Sequence, residues 1–224
     1  TVFTCTATNI PLLYMGIKIK FADVDPLTMN ISVESVKKLI NKKTKAIICV
    51  HYGGLPCDLD ELNKIAKKYN IPIIEDAAQA LGAKYNNKSI GGIGDFTTFS
   101  FQAIKHITTG DGGILTIKNK KLHNIAKRIG WFGINREGKQ KGTWENDIFE
   151  VGYKYQMNDL GATLGYESLK NFRKIISHRR KIFDIYLTEL SKNKNIHCVN
   201  DFDKKKTHAA WLFTIVLEKK DYLQ

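Results

Sequence analysis

The chain has 224 residues, 43% of them hydrophobic and 25% charged, enough for one large domain and part of a second. No apolar run approaches the roughly 20 residues that a membrane-spanning helix needs, so no membrane association is expected. Net charge is +13, from 35 Lys and Arg against 22 Asp and Glu, a balance that can serve nucleic acid, draw in an anionic small molecule, or merely solvate helix faces.

Residues 1–8 are rich in β-branched side chains and read as a strand end. Residues 9–16, with Pro11 near the start, read as a helical turn closed by Gly16. Residues 17–22 alternate apolar and polar, as a strand does, and Asp23-Val24-Asp25-Pro26 breaks them. Asn30 or Ser32 can cap a helix over 33–42, with Val33, Val36, Leu39 and Ile40 on one face. The wholly apolar run 46–50 fits a strand buried on both faces of a parallel sheet. A loop at 51–57 leads to a helix begun by Asp58 or Asp60 and running to about Tyr69, with Leu59, Leu62, Ile65 and Ala66 inward. Residues 71–74 are a further buried strand.

Strand, helix, strand is the order of an open α/β sheet. A small hairpin follows around Asn86-Asn87, then strands at 96–101 and 113–117 and a helix at 121–129. Residues 130–150, with four glycines and Trp131, Phe132 and Trp144, read as a long loop of functional kind. Asn158 or Asp159 caps a long helix, 160–190, expected to break near Asn171. That break marks the passage from a large domain, residues 1–170, into the start of a small one, residues 171–224, with strands at 196–199 and 211–217.

Basic residues cluster only at 118–121, 173–181 and 204–206 and carry no nucleic-acid-binding motif, so solvated lysines are the favoured reading. Cys5, Cys49, Cys57 and Cys198 form no C-x-x-C pair. They read as small buried hydrophobes in a reducing cytoplasm. Thr1 starts without a Met or a basic leader, and the chain is expected to be a piece of a longer protein, incomplete at both ends.

Chemistry gathers at two stretches, residues 71–80 and 99–113. Lys105 lies between a small apolar run and a glycine-rich turn. Burial disfavours an ammonium, and an amine so activated condenses with a carbonyl. Asp76 follows a buried strand, and open α/β sheets bind ligands beyond the carboxyl ends of their strands. Pyridoxal phosphate needs an amine for its aldehyde, an acid for its ring nitrogen and donors for its phosphate. Lys105 can be the amine, Asp76 the acid and Ser100 a phosphate donor. Gln79 reaches the ring oxygen if a helical turn follows the strand, and Gly112-Gly113 permits close backbone approach. Each residue alone has a structural reading, such as a helix cap for Asp76; the specific signal is their joint spacing.

The same residues carry a family resemblance. Asp25-Pro26 with Thr28, the run 51–58 (HYGGLPCD), the run 75–80 (EDAAQA), Gly94-Asp95, the run 99–105 (FSFQAIK), Gly110-Asp111-Gly112-Gly113 and the run 151–160 (VGYKYQMNDL) follow in order over nearly the whole chain. The pattern resembles the DegT/DnrJ/EryC1/StrS family of nucleotide-sugar aminotransferases. The resemblance implies an α/β fold of the aspartate-aminotransferase type (fold type I), with a mainly parallel sheet. It also implies a homodimer with shared sites, pyridoxal phosphate as cofactor, a keto nucleotide-linked sugar as acceptor and glutamate as donor.

By motif position, Lys105 would form the Schiff base, Asp76 would pair the pyridine nitrogen, Gln79 would touch the cofactor and Ser100 its phosphate. Lys154 stands where the family usually has an Asn that reaches the neighbouring subunit's cofactor phosphate; a lysine there would act as a point charge. Cys5 occupies a place that often holds an aromatic stacked on the ring. Two other readings stay open. Sugar dehydratases of the family have a histidine in place of the lysine, against which Lys105 argues, with His106 read as a local hydrogen-bonding residue. A non-catalytic, nucleic-acid-binding regulator of the same fold is opposed by the intact Asp76, Ser100 and Lys105.

Overall fold

The computed structural model describes residues 1–136, 148, 150–201 and 203–217. Most of the expected loop at 130–150, Trp144 included, lies outside the described residues.

The organising element is a four-stranded sheet of order β1-β2-β5-β6, formed by β1 (Ile47–Val50), β2 (Ile73–Asp76), β5 (Phe96–Ser100) and β6 (Gly113–Ile117). The first three strands run parallel and β6 runs antiparallel to β5. Val50 lies opposite Asp76, and Asp76 opposite Thr98. Ser100, at the end of β5, pairs with Gly113 at the start of β6. The parallel ladders therefore deliver residues 51, 76 and 100 to one edge of the sheet.

Helix α3 (Leu59–Tyr69) presents the expected stripe of Leu59, Leu62, Ile65 and Ala66 to the core, and Asn70 in the left-handed conformation ends it. Helix α2 (Val33–Leu39) buries Val36, with Val33, Leu39 and Ile40 packed beside it; Ser32 accepts from the Ser35 N–H as its cap. It stops three residues before the expected end, because Ile40 turns to extended backbone.

Two expectations for the first 22 residues are corrected. Residues 1–8 do not form a strand end: helix α1 (Thr6–Tyr14) begins at Thr6, after Cys5 in extended backbone. Here β-branched preference yields to tertiary context, since the helix carries the Thr8 hydroxyl to Asp76, 2.6 Å away. Gly16, at φ +67°, closes α1, with its N–H on the Leu13 carbonyl and the Ile17 N–H on that of Leu12. Residues 17–22 alternate as a strand would, yet pair with no strand among the described residues. The alternation does not mark an inward face, since Ile17 and Phe21 are exposed and only Ala22 is buried, and a strand also needs a ladder neighbour.

The hairpin of β3 (Lys84–Tyr85) and β4 (Lys88–Ser89) turns through Asn86 and Asn87, both at positive φ as a tight hairpin requires. It gains a third strand from far along the chain, β8 (Lys206–Thr207). Helix α4 (Lys120–Ile129) is capped by Asn119. The expected long helix divides at Asn171 into α5 (Asp159–Lys170) and α6 (Phe172–Leu190). Strands β7 (Ile196–Cys198) and β9 (Ile215–Leu217) pair antiparallel.

Beneath the carboxyl edge of the sheet lies a fully buried pair, His51 and Glu75, joined at 2.8 Å. The Cys57 N–H donates to His51 Nδ1, so that nitrogen carries the lone pair and Nε2–H donates to Glu75. Burial opposes a charge on this ring, while Cys57 and Glu75 favour one and push its pKa up to about 10, but a proton on Nδ1 would face the Cys57 N–H. The other Glu75 oxygen accepts from the Gly94 N–H at 2.6 Å and the Thr97 hydroxyl at 3.1 Å. Gly94 has no room for a side chain: a Cβ there would collide with that oxygen.

Burial works against the Glu75 charge, but the His51, Gly94 and Thr97 donors outweigh it and hold the carboxyl below its usual 4.5. A folded-state value below the unfolded one stabilises the protein fully above the unfolded value; the contribution is lost as pH falls through the folded value. Glu75→Gln is expected to lower stability near neutral pH by about 1–3 kcal/mol. It should also flatten the decline on the acid side, read from denaturant midpoints across the pH range. An unchanged acid limb would mean that other carboxylates govern it.

Candidate active site

The residues singled out at the carboxyl edge of the sheet are placed by β2 and β5 and by the turns that follow them. Asp76 ends β2, half-buried. Its Oδ2 accepts from the Thr8 hydroxyl at 2.6 Å and its Oδ1 from the Ala78 N–H at 3.0 Å. Thr8 in turn shares a 2.8 Å hydroxyl contact with Thr4. Two donors at fixed angles orient the carboxylate.

Gln79 sits in the turn after β2, where the Ala80 N–H closes on the Ala77 carbonyl. Its Oε1 accepts from the Gly53 N–H at 2.6 Å. Because an N–H can donate only to the amide oxygen, this bond fixes the amide orientation and leaves Nε2 free to donate elsewhere. Gly53 and Gly54 both have positive φ. A Cβ at Gly54 would come within 2.9 Å of the Gln79 carbonyl oxygen and of Ala209 Cβ, so the loop packs against the site only as glycine.

Ser100 ends β5, and its hydroxyl accepts from the Gln102 N–H at 3.2 Å, leaving its proton available. Lys105 follows in a turn closed by its N–H on the Gln102 carbonyl. Burial pulls its ammonium below the ordinary lysine range, while the charges of Asp76 and Cys5 push back. The amine lies 4.0 Å from the centre of the Trp211 ring. His106 is buried and donates to the Ala209 carbonyl at 3.0 Å. Burial and the Arg179 charge push it down to about 4, so the ring is neutral and structural.

Lys154 is not brought to this group. Among the described residues it is exposed, bridges in backbone to Trp131, and lays its amine 3.5 Å from that ring. It borders a separate open cleft with Asp111, Gly112, Gly113 and Leu160. Cys5 is exposed before α1 and lies within electrostatic reach of Lys105.

The donor set suits pyridoxal phosphate: an amine of depressed basicity, an oriented carboxylate at the strand edge, a free amide donor and a free hydroxyl. All of these project from the carboxyl ends of parallel strands.

A family model, the DegT/DnrJ/EryC1/StrS aminotransferase family, matches residues 1–224. The chain belongs to this family. GDP-perosamine synthase of Escherichia coli O157:H7 is 35% identical over 203 residues, which are 91% of this chain and 53% of that protein. UDP-4-amino-4,6-dideoxy-N-acetyl-beta-L-altrosamine transaminase of Campylobacter jejuni is 34% identical over 227 residues, covering 100% of this chain and 59% of the relative. Among solved structures, the sugar aminotransferase CalS13 from Micromonospora echinospora superposes with a TM-score of 0.92 at 29% identity, covering 99% of this chain and 61% of that one. PseC of Helicobacter pylori, an aminotransferase involved in the biosynthesis of pseudoaminic acid, gives 0.90 at 28% identity, covering 99% and 58%. The chain thus spans somewhat more than half the length of these family members.

Sequence reasoning missed two residues here. Thr8 was hidden by the strand reading of residues 1–8, since only a helix turns its hydroxyl to Asp76. Trp211, 106 positions beyond Lys105, carried no local signal; it read as the start of a strand that in fact begins at Ile215.

Proposed function

We propose that the whole protein transfers an amino group to a keto nucleotide-linked sugar, with pyridoxal phosphate as cofactor. The observation that carries this reading is the convergence of Lys105 and an oriented, hydroxyl-bonded Asp76 on the carboxyl edge of one parallel sheet. The printed activities of the relatives, a perosamine synthase and a UDP-sugar transaminase, support the substrate class.

When bound, the cofactor supplies an electron sink for loss of a proton from an amino acid's α-carbon. Lys105 anchors the aldehyde; once freed, it takes that proton as base and returns it as acid. The depressed basicity of a half-buried amine suits both roles. Asp76 keeps the ring nitrogen protonated, held to the task by Thr8 and Ala78. Gln79 Nε2 would donate to the cofactor's ring oxygen and Ser100 Oγ–H to its phosphate. Lys154 belongs, on this reading, to the phosphate site of a partner subunit in a homodimer. The exposed apolar side chains Val151, Leu160 and Leu164 on the flank of Lys154 support such an interface.

Residues 1–170 form the cofactor-binding domain and residue 171 opens the smaller one. Glutamate is the favoured donor, a C4-keto, 6-deoxy sugar the favoured acceptor and a C3-keto sugar the next. The pathway is surface-polysaccharide or amino-sugar assembly in the cytoplasm.

The test offers the full-length protein, glutamate and pyridoxal phosphate to a panel of keto nucleotide sugars, with products read by mass. Replacement of the keto oxygen by an amino group on at least one C4-keto sugar is expected. Loss of a hydroxyl without amination would favour the dehydratase class instead.

A further inference from the structure

Helix α6 is followed, after β7 and β8, by a short strap, residues 208–212, that crosses the loop bearing Lys105. The strap is tied to three parts of the molecule. The Ala209 N–H donates to the Gly54 carbonyl, and the Trp211 and Leu212 N–H groups both donate to that of Gly53. Arg180 donates to the His208 carbonyl at 2.9 Å and to the Gly82 carbonyl, and Arg179 reaches the Trp211 carbonyl. His106 bonds the Ala209 carbonyl, and the indole N–H of Trp211 donates to the Ile104 carbonyl at 3.3 Å. The strap and the residues on both sides of Lys105 are thereby locked together, and Trp211 presents its ring face 4.0 Å from the Lys105 amine.

We propose that Trp211 is a positioning residue for Lys105, holding the protonated amine on its ring face and so setting how readily that amine gives up its proton. The proposal rests on the reading of Lys105 as the reacting amine. An aromatic face attracts an ammonium and leaves a neutral amine almost untouched. It therefore stabilises the charged form at a place where burial opposes it. The other charged or titratable groups facing this amine are Asp76 from β2 and Cys5 from the start of α1. His106 and Arg179 lie behind it; His106 is neutral. During turnover a freed Lys105 must first accept a proton and then return it to the same small region. A ring that holds the ammonium without accepting its proton keeps the side chain in place between the two transfers.

The test reads the protonation of Lys105 itself. The full-length protein, freed of cofactor, is pulsed with acetic anhydride across a range of pH, and acylation of the Lys105 peptide is followed by mass. Trp211→Leu removes both the ring face and the indole donor; Trp211→Phe removes the donor and keeps a face. In Trp211→Leu the midpoint of Lys105 acylation should move down by roughly half a pH unit or more, and Trp211→Phe should move it by less than half as much. Equal shifts in the two variants would assign the effect to the lost Ile104 hydrogen bond and overturn the proposal, as would an unmoved midpoint in Trp211→Leu.

Should Trp211→Leu fail to fold by circular dichroism, 5-fluorotryptophan in place of the tryptophans keeps shape and donor while weakening the ring face. It must shift the midpoint in the same direction, and no shift would sink the idea. A Lys105→Arg protein that still linked the cofactor would overturn the functional reading instead, without altering these titrations.

Discussion

Lys105→Ala in the full-length protein should abolish the visible absorbance of lysine-linked pyridoxal phosphate and lower amino transfer by about 10²–10⁴-fold or more. Two functions disappear together: the anchor for the aldehyde and the group that moves the proton. Lys105→Arg is the sharper variant, because it keeps a positive charge beside Asp76 yet cannot anchor an aldehyde or act as a base near neutral pH. Both variants should fold, since Lys105 forms neither an ion pair nor a side-chain hydrogen bond among the described residues; its contact is with the Trp211 ring. Borohydride treatment of the parent should fix the cofactor on the peptide that contains Lys105. Recovery on another lysine would remove Lys105 from the site.

Asp76→Asn is expected to have the second largest effect, a fall of roughly 10²–10³-fold in turnover. The amide has nearly the shape of the carboxylate and can still bond Thr8 and Ala78, so the fold should persist. What is lost is the negative charge that keeps a pyridine nitrogen protonated, and with it most of the ring's capacity to take up electrons. Thr8→Val should cost far less, about tenfold or under, because it removes one orienting donor and leaves the charge. Titrating cofactor absorbance alongside the rate separates weakened binding from weakened chemistry. Equal losses for Thr8→Val and Asp76→Asn would show that orientation, rather than charge, is what Asp76 supplies.

The parallel core was legible in the sequence because its signals are local. The apolar runs of β1 and β2, the amphipathic stripe of α3, the paired asparagines of the hairpin and the break at Asn171 each declare themselves within a few residues. The placement of the candidate residues was legible for a related reason: Asp76 and Ser100 end strands and Gln79 and Lys105 follow them in turns, and strand ends in an α/β order point to one edge. The misreadings fall where partners are remote. Thr8 needs Asp76, 68 positions away, to explain why its segment is helical. Residues 17–22 alternate without a ladder neighbour among the described residues. Strand β8 is two residues long, and only the edge of the β3 hairpin makes it a strand. A pattern read along the chain has no access to such pairings.

The strap over Lys105 also bears on the order in which the molecule can be completed during synthesis. His106 is bonded to Ala209 across 103 positions, and Gly82 to Arg180 across 98. Contacts at such separations are late and slow to form. On a ribosome the sheet and α3 can assemble while the last third of the chain is still unmade. The loop that carries Lys105 cannot be braced until residues 208–212 have left the exit tunnel. A nascent chain therefore holds a formed sheet edge well before it holds a fixed lysine.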